Sequence, residues 1–131
     1  RSPDIGICVE VDFATDQPDV ERKHNGEVAL GKGPILTRGA NINHALFELL
    51  YATAQKDKIA VQLTANPRAT GTDANVMQIS RGGVATALVK LPLRYMHTPV
   101  EVVSLGDLEQ SAKLIVATLK RITDRGTFVP Q

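Results

Sequence analysis

Two side chains in this sequence have types and placements that could do chemistry together. Glu10 interrupts the run Ile5-Gly6-Ile7-Cys8-Val9-Glu10-Val11-Asp12-Phe13, which is otherwise mostly apolar and rich in β-branched residues. His97 follows a second apolar run, Val84 to Leu91, inside Leu93-Arg94-Tyr95-Met96-His97-Thr98-Pro99. A carboxylate among apolar neighbours is costly unless it is paired or holds a cation. Carboxylate and imidazole are both donor types that zinc and similar divalent ions accept. The alternative is structural: Glu10 pairs with a basic residue such as Arg94, and His97 hydrogen-bonds within a turn. The two residues are far apart in sequence and no HExxH spacing supports them, so both readings stay open at this level.

The segments around them read as alternating strands and helices. The unalternating Ile5–Phe13 run suits a strand buried on both faces of a parallel sheet. A strand with neighbours on both sides, placed directly after Arg1-Ser2-Pro3-Asp4 and with no initiator Met, suggests a piece of a longer chain. Asp16 to Gly33 is polar and rich in turn residues, leaving room for a short Glu27–Leu30 strand at most. Pro34 to Thr37 reads as a short strand, its proline fitting an edge or a first position. Asn43 is a good cap for a helix over His44–Asp57 with Leu46, Leu49, Leu50 and Ala54 as its apolar stripe. Ala60 to Ala65 is a strand broken by Asn66-Pro67. A helix then runs from Thr72 or Asp73 to Arg81, stopped by Gly82-Gly83. Val84–Leu91 is a strand ended by Pro92. Ser104 caps a last helix whose core face is Leu105, Leu108, Ala112, Ile115, Leu119 and Ile122, with acids early and bases late. This order predicts an α/β domain with a mostly parallel sheet flanked by helices. On that plan Glu10 and His97 share the rim at the carboxyl ends of the strands, where sites of open α/β sheets form.

Composition narrows the classes. The 131 residues suffice for one domain. Hydrophobic residues at 43% and charged residues at 22% exclude disorder. Fifteen bases against fourteen acids give +1, without the basic stripe of a nucleic-acid binder. No apolar run is long enough for a membrane helix. The single cysteine, Cys8, cannot form an internal disulfide and reads as a small buried hydrophobe, which favours a reducing cytoplasm. Gly31-Lys32-Gly33 lacks P-loop spacing, and no G-x-S-x-G elbow occurs. Gly71-Thr72-Asp73 opens a helix, where free N–H groups could hold an anionic or carbonyl group or where the polar residues merely cap. His24 and His44 read as solvated.

The stretch from Gly71 to Val89 and the block Leu91-Pro-Leu-Arg-Tyr-Met-His-Thr-Pro-Val-Glu-Val-Val resemble the carboxy-terminal part of the glutamyl/deblocking aminopeptidases. These are dinuclear metallo-aminopeptidases that include the tetrahedral particles, and some members are labelled endoglucanases. Pro3 to Val11 and Gly31 to Ile35 are similar to earlier segments of the same family, so the resemblance runs from about Pro3 to Ile122. It implies a zinc-peptidase-like partial domain and, in the whole protein, two divalent ions (zinc or cobalt), a peptide substrate and homo-oligomers. His97 matches the family's terminal histidine ligand. Glu10 falls where the family commonly has an aspartate ligand, one methylene shorter. Phe13, Thr70, Gly71, Thr72 and Asp73 resemble positions near the substrate pocket. Asp19 stands where a glycine usually follows D-x-P. The family's other ligands and its general base precede these segments, so the 131 residues alone are expected to bind metal poorly and to be inactive.

Two other readings compete with this one. The first is a non-catalytic remnant that oligomerises or regulates. The second is a glycoside hydrolase, which needs two flanking carboxylates and aromatic platforms; aromatics make up only 4% and there is no Trp.

Overall fold

The computed structural model describes residues 3–20, 22, 26–124 and 128. His24 lies outside them. The elements in chain order are β1 (Ile5–Phe13), β2 (Ile35–Gly39), α1 (His44–Asp57), β3 (Gln62–Asn66), α2 (Ala74–Met77), β4 (Ala85–Arg94), β5 (Val102–Val103) and α3 (Leu105–Leu119). They build one mixed sheet in the order β1-β4-β2-β3, with β5 paired to β4. The long pairings are parallel: β1 runs beside β4 from Ile5–Ala85 to Phe13–Leu93, and β2 beside β3. The antiparallel contacts are short, at Ile35–Lys90, Leu36–Val89 and between β4 and β5. The sheet therefore reverses direction between β4 and β2. The carboxyl ends of β1 and β4 lie at one rim, those of β2 and β3 at the other.

Helices cover both faces. On one, α1 and α3 pack onto the sheet through Leu46, Phe47, Leu50 and Leu114 against Leu36, Ala87 and Val89. On the other, the single turn of α2 sets Ala74 and Met77 against Cys8 and Leu88. Asn43 caps α1 by accepting from the Leu46 amide at 3.0 Å, and Lys58 ends it in the left-handed conformation. Ser104 caps α3 as its residue type predicts.

Several elements depart from the sequence reading. Strand β1 is not a doubly buried central strand. Among the described residues it pairs with β4 alone, and Val9, Val11 and Phe13 are exposed. Pro92 does not end β4. The Leu93 carbonyl turns toward β1, where it accepts from the Ala14 amide, so Pro92 turns its missing N–H the other way. There β2 pairs only as far as Lys90 and β5 begins at Leu93, and no ladder bond is lost. Helix α2 spans one turn rather than reaching Arg81: beyond Met77 the Ser80 amide bonds the Met77 carbonyl, three residues back, and Arg81 is itself left-handed (φ 56°), so the chain turns before the glycines. Glu27–Leu30 is not a strand, although Val28 is buried and exchanges bonds with Thr15.

The largest reversal is in α3. Of its anticipated core face only Ile115 packs onto the core, joined by Ile122 just beyond the helix; Leu105, Leu108, Ala112 and Leu119 face outward. The inward face is Asp107, Ser111, Leu114 and Thr118. Ser111 and Thr118 donate to the carbonyls of Asp107 and Leu114, four residues back, so small hydroxyls enter the core already satisfied.

Candidate functional site

The rim at the carboxyl ends of β1 and β4 carries both singled-out residues. On β1, Glu10 shares the α2 face with Cys8 and Asp12, while Phe13 takes the opposite face. The acids that follow Glu10 along the chain, Asp12 and Asp16, have partners. Asp12 takes the nearly buried Lys90 ammonium and the Phe13 amide. Asp16 holds Arg94 in a two-pronged pair, Nε to Oδ1 at 2.9 Å and Nη2 to Oδ2 at 2.6 Å, and also accepts from the Leu30 amide. The Arg94 guanidinium holds the Asp16 carboxyl below the usual carboxylate range, and Asp16 in turn raises Arg94. Glu10 is not the partner of Arg94. It is half-buried and, among the described residues, makes no hydrogen bond or ion pair.

His97 sits in the turn after β4. Two residues of that turn, Tyr95 (φ 58°) and His97 (φ 67°), are left-handed without being glycine, a strained arrangement that surrounding bonds must hold. The Tyr95 amide donates to Gln17 Oε1 at 2.8 Å and the His97 amide to Glu101 Oε1 at 2.7 Å. The exposed imidazole meets the Phe13 ring edge-on, centroids 6.0 Å apart, and among the described residues its nitrogens make no hydrogen bond. The imidazole thus lies against a residue three positions beyond Glu10 whose side chain takes the opposite face of the strand. Both residues stand at the same rim.

The other singled-out residues divide. Thr70, Gly71 and Thr72 follow β3 and so begin at the opposite rim, where buried Thr70 accepts from Asn41 Nδ2 and bonds Thr72. From there the chain turns back over the sheet, and Asp73 and Ala74 reach Cys8, on the face of Glu10. Burial pushes the Cys8 thiol above its usual value, and Glu10 and Asp73 both push the same way. Asp19, at the glycine position, is left-handed (φ 63°), which accounts for a glycine there and for an aspartate tolerating it.

Glu10 and His97 are suitable metal donors, and among the described residues neither side chain makes a hydrogen bond or ion pair. Yet among the described residues no group of three or more His, Cys, Asp or Glu side chains could hold an ion. A closed or catalytic centre needs about three protein donors, so the described residues do not form one by themselves. Sequence reading missed Asp107, a carboxylate with no exposed surface that accepts from the Gly31 and Gly33 amides at 2.8 Å each. It was read only as helix-dipole charge; the paired glycines upstream were the available signal.

The mixed sheet with helices on both faces is part of an α/β domain of the kind found in aminopeptidases. The chain belongs to the M42 glutamyl aminopeptidase family, whose model matches residues 1–114. Lysyl aminopeptidase of Pyrococcus furiosus is 45% identical over 120 residues, covering 92% of this chain and 34% of that protein. The TET aminopeptidase of the marine sediment archaeon Thaumarchaeota archaeon SCGC AB-539-E09 superposes with a TM-score of 0.85 at 31% identity, over 96% of this chain and 35% of that one. The Pyrococcus horikoshii TET1 peptidase, which can assemble into a tetrahedron or a large octahedral shell, matches at a TM-score of 0.63 and 28% identity, over 86% of this chain and 32% of its own. The chain thus spans about a third of the length of these relatives.

Proposed function

We propose that these residues form part of the catalytic domain of a metal-dependent aminopeptidase that removes amino-terminal residues from peptides. In this reading Glu10 and His97 each supply one donor to a two-ion centre of zinc or cobalt. The remaining donors and the general base come from polypeptide outside the 131 residues, and no catalytic step belongs to the present residues alone. Phe13, beside His97, and Asp73, on the face of Glu10, border the approach of the peptide, with Thr70, Gly71 and Thr72 bracing the segment that carries Asp73 across the sheet. The working protein is a cytoplasmic homo-oligomer, a reading that the free Cys8 thiol and the assembling relatives support. One observation carries the proposal. Among the described residues Asp12 and Asp16, which follow Glu10 along the chain, are paired with Lys90 and Arg94, whereas Glu10 and the His97 ring nitrogens make no hydrogen bond or ion pair.

A segment exchange tests it. The 131 residues replace the matching segment of the Pyrococcus furiosus enzyme, and the chimera is assayed on aminoacyl-p-nitroanilides. The expected result is chelator-sensitive hydrolysis, with Glu10→Ala and His97→Ala each losing most activity and about one equivalent of bound metal. An active chimera indifferent to both substitutions would remove the two residues from the site.

A further inference from the structure

The His97 ring has little of its own to hold it. Among the described residues its nitrogens make no hydrogen bond, and its ring contact is the edge-on one with Phe13. Where the imidazole stands is therefore set by the backbone of residues 95–101, which connects Arg94 to Val102, paired across β4 and β5. Relaxing Tyr95 or His97 from its left-handed conformation to ordinary helical dihedrals would turn φ by about 120° or more and swing the ring away. Such conformations persist only where surrounding bonds over-determine them. Inside the turn the Thr98 hydroxyl donates to the Tyr95 carbonyl at 2.6 Å. Two further oxygens reach in from outside: Gln17 Oε1 accepts from the Tyr95 amide and Glu101 Oε1 from the His97 amide. Asp16 grips Arg94 beside them, so consecutive residues of the loop after β1 hold consecutive residues where β4 ends. Glu101 directly precedes Val102 and is placed by the β4–β5 ladder. The two residues of this turn with positive φ are the two whose amides are held in this way.

We propose that Gln17 and Glu101 are positioning residues for the His97 imidazole. Each acts through the backbone. Its oxygen fixes an amide of the left-handed turn, and the turn presents the ring at the rim in one place before an ion arrives. A donor ordered in advance spares the incoming ion the entropy of ordering it. What each residue supplies is an accepting oxygen rather than a charge, so an amide and a carboxylate serve alike. This role rests on His97 being a metal donor, as proposed above.

The test strips the segment-exchange chimera of metal and titrates it with zinc by calorimetry. His97→Ala should lose about one equivalent, which identifies the ion that His97 holds. Gln17→Ala and Glu101→Ala should each weaken that equivalent at least about tenfold, the scale seen for partners of metal ligands, and leave the other equivalent as tight as before. Glu101→Gln and Gln17→Glu keep an accepting oxygen and should bind within about threefold of the parent. Hydrogen–deuterium exchange of the metal-free chimera reads the turn itself. Peptides covering residues 94–98 should exchange at least about tenfold faster in either alanine variant, with those of α1 unchanged. Alanine variants that speed exchange yet bind zinc as the parent does would overturn the positioning role and leave His97 as a donor. So would losing both equivalents together, or Glu101→Gln losing as much as Glu101→Ala, which would make the carboxylate itself a ligand. A chimera that binds no zinc, or a His97→Ala variant that keeps both equivalents, would overturn the donor reading and this role with it.

Discussion

Asp107 and Gly33 lie 74 residues apart in the chain, yet the buried Asp107 carboxylate holds the Gly33 amide at 2.8 Å and the Gly31 amide at the same distance. The first turn of the last helix thereby fixes the loop that leads into β2. The acid charge also lies at the amino end of α3, where the helix dipole favours it.

Removing that acceptor leaves buried donors unpaired. Asp107→Ala is expected to cost about 2–4 kcal/mol in urea unfolding, and Asp107→Asn less, since the amide keeps one acceptor. A loss below about 0.5 kcal/mol would show that water replaces the carboxylate.

The two glycines should respond unequally. Both are left-handed (φ 77° and 88°), so alanine is strained at either, by about 1–2 kcal/mol. At Gly31 a Cβ meets nothing within 4 Å, whereas at Gly33 it collides with the Ala60 carbonyl. Gly33→Ala should therefore be markedly the more destabilising, as a comparison of thermal midpoints would read directly.

Acid should loosen the site rim through Asp16. Its native pKa is lowered by Arg94, so the pair's stabilising effect is complete above the ordinary carboxylate value of about 3.9 and is lost as pH falls toward the native value. Asp16→Asn should lower the thermal midpoint at pH 7 and flatten the decline of stability between about pH 5 and pH 2. An unchanged slope in the variant would assign the acid sensitivity elsewhere.

Lys90 and Asp12 form a pair in which the lysine side chain is 9% exposed and the aspartate 31%. Asp12→Ala strands a nearly buried ammonium and should cost about 2–4 kcal/mol, whereas Lys90→Met should cost less because methionine fills the same volume without charge. Chemical denaturation of the two variants orders them.

The family, the strand positions and the caps at Asn43 and Ser104 were legible from sequence because they depend on local residue chemistry. The rim shared by Glu10 and His97 followed from two strands being parallel. What escaped depends on the partner layer. An apolar period tells which face of α3 is greasy, not which layer will cover it, so the stripe at Leu105 and Leu108 was assigned to a core that instead took Asp107, Ser111 and Thr118. The apolar run of β1 had the same ambiguity. Arg94 could have met Glu10 or Asp16, and only the path of the loop after β1 chose Asp16.

The parallel union of β1 with β4 joins residues 80 positions apart, as Ile5 with Ala85. On a ribosome adding about 5–20 residues per second, β1 must wait several seconds for β4 to be made. Throughout that interval the backbone edge that β4 will take is open, and the acids at positions 10 and 12 act as gatekeepers against clumping.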